Sequence, residues 1–217
     1  MKKPSRAALV GAGKFSDSPL SRVPDLAQHL GPVKAPSFRL ANRLANSLRG
    51  GQAVKDYSEL AGSALILLSV PDAQAPAFVA ELAASGLTFS GKAVVICSDR
   101  LSAAALDDLS ALGSATGSFC AVPGFENKWF LLEGGKLVER EMRPLIKHRG
   151  ARVTVLAEGS KAPYLAGLDR LGPGFSPQVK DALECLRAAG ITNAEAFLIL
   201  EKQASRTMRS CFRSGRS

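Results

Sequence analysis

Ala7-Ala8-Leu9-Val10-Gly11-Ala12-Gly13 decides the fold: a short apolar run breaks directly into a Gly-x-Gly turn. In a doubly wound α/β sheet, this is where the first strand brings bare backbone up to the pyrophosphate of a dinucleotide. Glycine at 11 and 13 admits tight geometry and close approach of phosphate, and the helix expected next offers free N–H groups. Lys14, Phe15 and Ser16 complete the candidate phosphate turn, and Asp17 opposes it by charge. Ser16 stands where a third glycine would let helix and strand pack closely. The alternative is a fold turn that no longer binds.

Outward from that turn, the chain alternates between strand and helix patterns. Ser63 to Val70, SALILLSV, is the strongest strand, because its continuous apolar centre suits a parallel strand covered on both faces. Lys92 to Cys97, Ala115 to Val122, Lys128 to Leu132 and Ala151 to Leu156 read as further strands, and GPVKAPSF as a proline-interrupted second one. Helices are expected over Pro19–Leu30, Arg39–Leu48, Ala75–Ser85, Ser102–Leu112 and Glu139–Arg149. Beyond Gly159 only helical patterns follow: through Tyr164 and Leu168, over Pro177–Ala189, and from Asn193 toward Arg213. The rhythm predicts an α/β architecture, a Rossmann-like doubly wound, mostly parallel sheet over residues 1–157, with a helical domain over 158–217. The ending SCFRSGRS lacks a capping logic and reads as cut short.

The acid that usually hydrogen-bonds the adenosine ribose about 20 residues past the glycines is missing from the expected second strand end, Pro36-Ser37-Phe38-Arg39. Ser37, Arg39 and Arg43 stand there instead. Arginine forks match phosphate oxygens, so NADP is favoured over NAD as cofactor, unless both arginines are simply exposed helix residues. Ser69, Val70 and Pro71 end the strongest strand, where a nicotinamide ring would find its wall. Ser98 and Arg100 end the next strand and suit a substrate or ribose, although Ser98 reads equally well as a helix cap.

Lys161 and Tyr164, one helical turn apart, would point the same way at the start of the helical part. A desolvated lysine there could donate a proton during carbonyl or imine reduction, or hold a carboxylate; a surface lysine beside a core tyrosine is the alternative. The candidate catalytic set is therefore Ser98, Lys161 and Tyr164. His29 and His148 fall away from the expected carboxyl edge.

Composition narrows the class. No apolar run approaches the roughly 20 residues that cross a bilayer, and MKKPSR leads into no export-type cleavage segment, so a cytoplasmic protein is expected. Cys97, Cys120, Cys185 and Cys211 show no metal-ligand spacing, and no metal is expected. Of the net charge of +9, five positive charges (Lys202, Arg206, Arg209, Arg213 and Arg216) fall in the last 16 residues. On a helix they form one stripe: a solvated face or dimer rim, with a phosphate-bearing ligand as alternative and specific nucleic-acid binding not expected.

Together GAGKFS, LGPVKAPSF, LILLSVPDAQ, GKAVVICSDRLSA, KWFLLEGG and KAPYLAG through AAGITNAEA resemble a bacterial two-domain family. That family joins a Rossmann-like NAD(P)-binding domain to a helical domain of unknown function. It is distantly similar to pyrroline-5-carboxylate reductase, ketopantoate reductase and 3-hydroxyisobutyrate dehydrogenase. The resemblance implies a cofactor at the sheet edge, a small-molecule substrate in a cleft, a homodimer through the helical domain, and further chain past Ser217. Departures are specific: Cys97-Ser98-Asp99 lacks the family's following histidine and glycine, Ser118-Phe119-Cys120-Ala121 lacks its His-Pro, and Leu165 replaces a histidine after Tyr164. The expectation is an NAD(P)-dependent oxidoreductase acting on a small carbonyl or imine. Its competitor is a non-catalytic nucleotide-sensing or structural dimer with a degenerate cleft.

Overall fold

A computed structural model describes residues 7–125, 128–146, 150–172 and 174–214. The chain divides into two compact units, Met1–Ala162 and Pro163–Ser217. The first is built on one eight-stranded sheet, in chain order β1 (Ala7–Gly11), β2 (Leu30–Lys34), β3 (Gln52–Ala53), β4 (Leu65–Ser69), β5 (Ala93–Cys97), β6 (Ala115–Ala121), β7 (Trp129–Gly134) and β8 (Arg152–Leu156). Their order in space is β3-β2-β1-β4-β5-β6-β7-β8. Every pairing is parallel except β6 with β7, which run antiparallel.

Both faces of the sheet are covered, which explains why the central strands carry no polar alternation. Leu9, Leu67, Val95 and Phe119 point to one face, where they pack with Leu20, Leu26, Val138 and Met142. Val10, Ile66, Leu68 and Ile96 point to the other, against Phe78, Val79, Leu82 and Leu106. The helices of this unit are α1 (Leu26–His29), α2 (Phe38–Leu48), α3 (Ala75–Ala83), α4 (Asp107–Ala111) and α5 (Lys136–Ile146). Reversal of strand order on either side of β1 and β4 leaves a crevice at their carboxyl ends, the usual ligand position of such sheets.

The expected helix over Pro19–Leu30 is corrected. Two short 3-10 turns, Phe15–Asp17 and Pro19–Arg22, and the single turn α1 occupy that stretch. Pro24 disfavours the helical region for the residue before it. Asp25 is left-handed at φ 58°, so the helical path stops and restarts. His29 ends α1, and the next residue already begins β2. Ser102–Leu112 likewise divides into a 3-10 turn, Ala103–Leu106, and the short α4. The helix expected to Arg149 is described only to Ile146, and His148 lies outside the described residues.

The second unit is helical. It consists of most of α6 (Lys161–Leu171), together with α7 (Ser176–Ala188) and α8 (Asn193–Ser214). Thr192 opens α8 with a reciprocal cap: its hydroxyl accepts from Glu195 N, while Glu195 Oε2 accepts from Thr192 N.

Candidate functional site

The Gly-x-Gly turn is built as its glycines require. Gly13 has φ +72°, and a Cβ there would lie 2.9 Å from Pro71 Cγ. Gly11 lets Leu44 of α2 come close, since a Cβ would lie 2.5 Å from Leu44 Cδ2. Close helix–strand packing is thus achieved through Gly11 and α2, which accounts for Ser16 being tolerated where a third glycine is usual. The long helix that would present its N-terminus to phosphate is replaced by the 3-10 turns, so charge at this turn rests on Lys14 and on single backbone N–H groups.

Over the turn opens a hollow of about 490 Å³, bordered by Gly11, Gly13, Phe15, Arg43, Ser47 and Gln74. A second hollow of about 280 Å³ lies over the ends of β4 and β5, bordered by Asp17, Ser69, Val70, Pro71, Ser98 and Arg100. Ala12 and Lys14 border both. Of the cofactor residues expected from the sequence, Gly11, Gly13, Lys14, Phe15 and Arg43 line the first hollow, and Ser69, Val70 and Pro71 the second. Three stand outside these linings. The Ser16 hydroxyl donates to Asp17 Oδ1 at 3.2 Å, the Ser37 hydroxyl caps α2 by accepting from Leu40 N, and Arg39 is exposed on the first turn of α2.

Carboxylates that the sequence reading passed over gather at the second hollow. Ser98 Oγ donates to Asp72 Oδ1 at 2.7 Å and accepts from Arg100 N at 3.0 Å and Leu101 N at 2.9 Å. Asp99 Oδ1 accepts from Ala121 N, and its Oδ2 lies 3.6 Å from Arg22 Nη1. Ser69 Oγ donates to Ser18 Oγ at 2.7 Å, tying the end of β4 to the 3-10 turns.

Lys161 lies beside Ser98, in contact with its backbone and not its hydroxyl. Its Nζ donates to Ser98 O at 2.7 Å and Leu101 O at 2.5 Å, and the residue is 1% exposed. Burial pulls its pKa below the usual lysine value, against the opposing pull of Cys120, Glu133, Asp99 and Cys97. Beneath it, Glu133 of β7 is wholly buried. Glu133 Oε1 accepts from Lys161 N at 3.1 Å, and Oε2 accepts from Ala103 N and Ser118 Oγ, each at 2.8 Å. Sequence reading missed Glu133; an acid inside the apolar run WFLLEGG was the available signal. Tyr164, one turn beyond Lys161 on α6, belongs to the second unit and is half-buried.

No family model matches the chain, and no curated protein matches it. Solved structures do match. A reductive aminase from Aspergillus terreus, in complex with NADPH and ethyl levulinate, is 19% identical over 99% of this chain and 77% of its own, with a TM-score of 0.63. The imine reductase from Bacillus cereus is 16% identical over 98% and 77%, with a TM-score of 0.69. A Myxococcus stipitatus imine reductase variant, in complex with NAD+, is 17% identical over 97% and 75%, with a TM-score of 0.68.

The fold is that of these reductases: a Rossmann-like, mostly parallel sheet followed by helices. The resemblance drawn from sequence is corrected accordingly, because these structural matches are imine reductases and a reductive aminase, not proteins of the two-domain family of unknown function or of the pyrroline-5-carboxylate reductase, ketopantoate reductase or 3-hydroxyisobutyrate dehydrogenase groups. Short motifs such as SVPD and KAPY report strand ends and helix starts shared by many such sheets, and do not separate one lineage from another. Among the described residues, no helix is long and apolar enough to cross a membrane.

Proposed function

We propose that this chain binds NADP(H) along the carboxyl edge of its sheet and reduces a small carbonyl or imine compound. The observation that carries the proposal is that the two hollows adjoin, with Ala12 and Lys14 in the lining of both. Lys14 stands at their junction, where a diphosphate would need a cation. Arg43 of α2 lines the first hollow and would meet a 2′-phosphate there, and no carboxylate is among the described residues lining it. The solved reductases of this fold with NADPH or NAD+ support the same reading.

When bound, the nicotinamide supplies hydride. The chain would provide the rest. Val70 and Pro71 form an apolar wall at the end of β4, and Asp17, Asp72 and Asp99 outnumber Lys14 and Arg100 in the lining of the second hollow, a balance that suits positive charge on an imine nitrogen. Ser98 holds its hydroxyl proton on Asp72, a polar pair that orients whatever enters beside it.

Calorimetric titration with NADPH and NADH tests the reading. NADPH is expected to bind more tightly, and Arg43→Ala to weaken NADPH roughly tenfold while leaving NADH unchanged, the size expected for one charge-assisted contact. Undiminished NADPH affinity in Arg43→Ala would reject the phosphate clamp, and absence of binding by either dinucleotide would overturn the function.

One observation favours a second reading, nucleotide binding without turnover: the Ser98 hydroxyl proton and two Lys161 amine hydrogens are all directed at protein acceptors. NADPH binding with no oxidation in the presence of a cyclic imine would select it. We infer further that the second unit pairs with a second copy of the chain. Leu171, Phe175, Met208 and Phe212, all exposed, line an apolar groove of about 420 Å³ beside α7 and α8, the kind of surface that a second copy would cover.

A further inference from the structure

We propose that Lys161 is a positioning residue: with Glu133 it holds the Ser98–Leu101 turn, and so holds the Ser98–Asp72 pair on the floor of the second hollow. The inference deepens the dinucleotide-reductase reading and rests on it for its functional arm alone. It replaces the role of proton donor that the sequence led us to expect of this residue, because the amine points into the protein.

The geometry forms a closed chain of bonds within the first unit. Glu133 is fixed on β7 by its register opposite Ser118 of β6, and Ser118 Oγ donates to it. Its other oxygen accepts from the backbone N of Lys161, setting the first residue of α6 in place. From there the lysine side chain reaches back to Ser98 O and Leu101 O, the two ends of the turn. Inside that turn, Ser98 Oγ accepts from the N–H groups of residues 100 and 101. The turn is therefore stapled twice, once from inside by a hydroxyl and once from outside by an amine. Lone pairs of the Ser98 and Leu101 carbonyls would otherwise be buried without the lysine, a costly arrangement. Glu133 Oε2 also accepts from Ala103 N, so the same carboxylate fixes the residues just after the turn.

The consequence is directional. Apolar replacement of Lys161 frees the turn, lets Ser98 rotate away from Asp72, and loosens whatever binds in the second hollow, with the first hollow left intact.

The test uses the full chain carrying Lys161→Met, a substitution of similar length that donates no hydrogen bond, with Lys161→Arg as the conservative partner. Amide hydrogen exchange is read first, without any dinucleotide. Lys161→Met is expected to accelerate exchange at the amides of residues 100 and 101 at least tenfold while β1 and β4 keep wild-type rates, and Lys161→Arg to restore much of the protection. Steady-state reduction of a cyclic imine is read second. KM is expected to rise about tenfold, kcat to fall less than tenfold, and the pH profile of kcat to keep its shape.

Unchanged exchange in the turn would overturn the proposal. So would a loss of kcat exceeding a thousandfold with unchanged KM and a flattened pH limb, which would make the amine the proton donor. If Lys161→Met does not fold, Glu133→Gln carries the exchange measurement, with the same turn expected to loosen and unchanged protection again overturning the proposal. Wild-type protein that binds no NADPH, with the turn loosening as expected, would remove the reductase reading and leave the positioning role standing.

Discussion

Gly13 and Lys161 are the two residues on which the turn and the second hollow depend most. Gly13 combines a left-handed φ with the close ring of Pro71, so Gly13→Ala meets both a conformational and a steric cost. The left-handed region alone costs a non-glycine residue about 1–2 kcal/mol. A fall of that size in the unfolding free energy read from urea denaturation is expected, with weakened NADPH affinity by calorimetry. Lys161 gives a pH prediction whose sign follows from burial. Its folded pKa lies below the ordinary value of 10.5, so between the two values the unfolded chain binds more protons than the folded one. Stability contributed by this residue therefore rises with pH across that window. The buried Cys97 and Cys120 thiols, pushed upward by burial, act in the opposite sense at alkaline pH, so the difference between wild type and Lys161→Met is the quantity to follow. That difference in melting temperature is expected to shift in favour of the wild type as pH climbs toward 10.5.

At the scale of elements, α2 links fold to proposed specificity. It starts at Ser37, whose side chain accepts from Leu40 N, and it carries Leu44 onto Gly11 and Arg43 to the rim of the first hollow. Loss of such a cap costs about 1 kcal/mol, so Ser37→Ala is expected to lower the unfolding free energy read from urea denaturation by that amount and to weaken NADPH less than Arg43→Ala does. Ser37 thus has a capping role that its sequence neighbourhood made look like a phosphate contact. Strands β4 and β5 were legible because a strand buried on both faces has no polar alternation to confuse with a surface element. The Pro19–Leu30 helix was misread because apolar periodicity there continues through Pro24 and Asp25, and periodicity alone does not register a backbone that turns left-handed.

At the scale of the whole molecule, the proposed pairing of second units has its own test. Light scattering is expected to give twice the chain mass, and Leu198→Glu with Phe212→Glu to give the mass of one chain, since both residues are strongly exposed on α8. A single-chain mass for the wild type would reject the pairing. The cationic residues Lys202, Arg206, Arg209 and Arg213 fall on one exposed stripe of the same helix, away from the apolar groove. Their solvation is compatible with a dimer.

Local sequence was enough for the parallel sheet, for the Gly-x-Gly turn and for the change to helices beyond Gly159. Each is written in local periodicity or in the steric needs of one residue type. Three-dimensional packing was needed to show that Glu133 lies under Lys161, that Ser98 faces Asp72, and that Ser16 and Arg39 stand outside the two hollows. The first two relations join residues 28 and 26 positions apart, across strand registers that no local pattern encodes. A buried polar group is placed by whichever distant partners satisfy it, and those partners are chosen by packing.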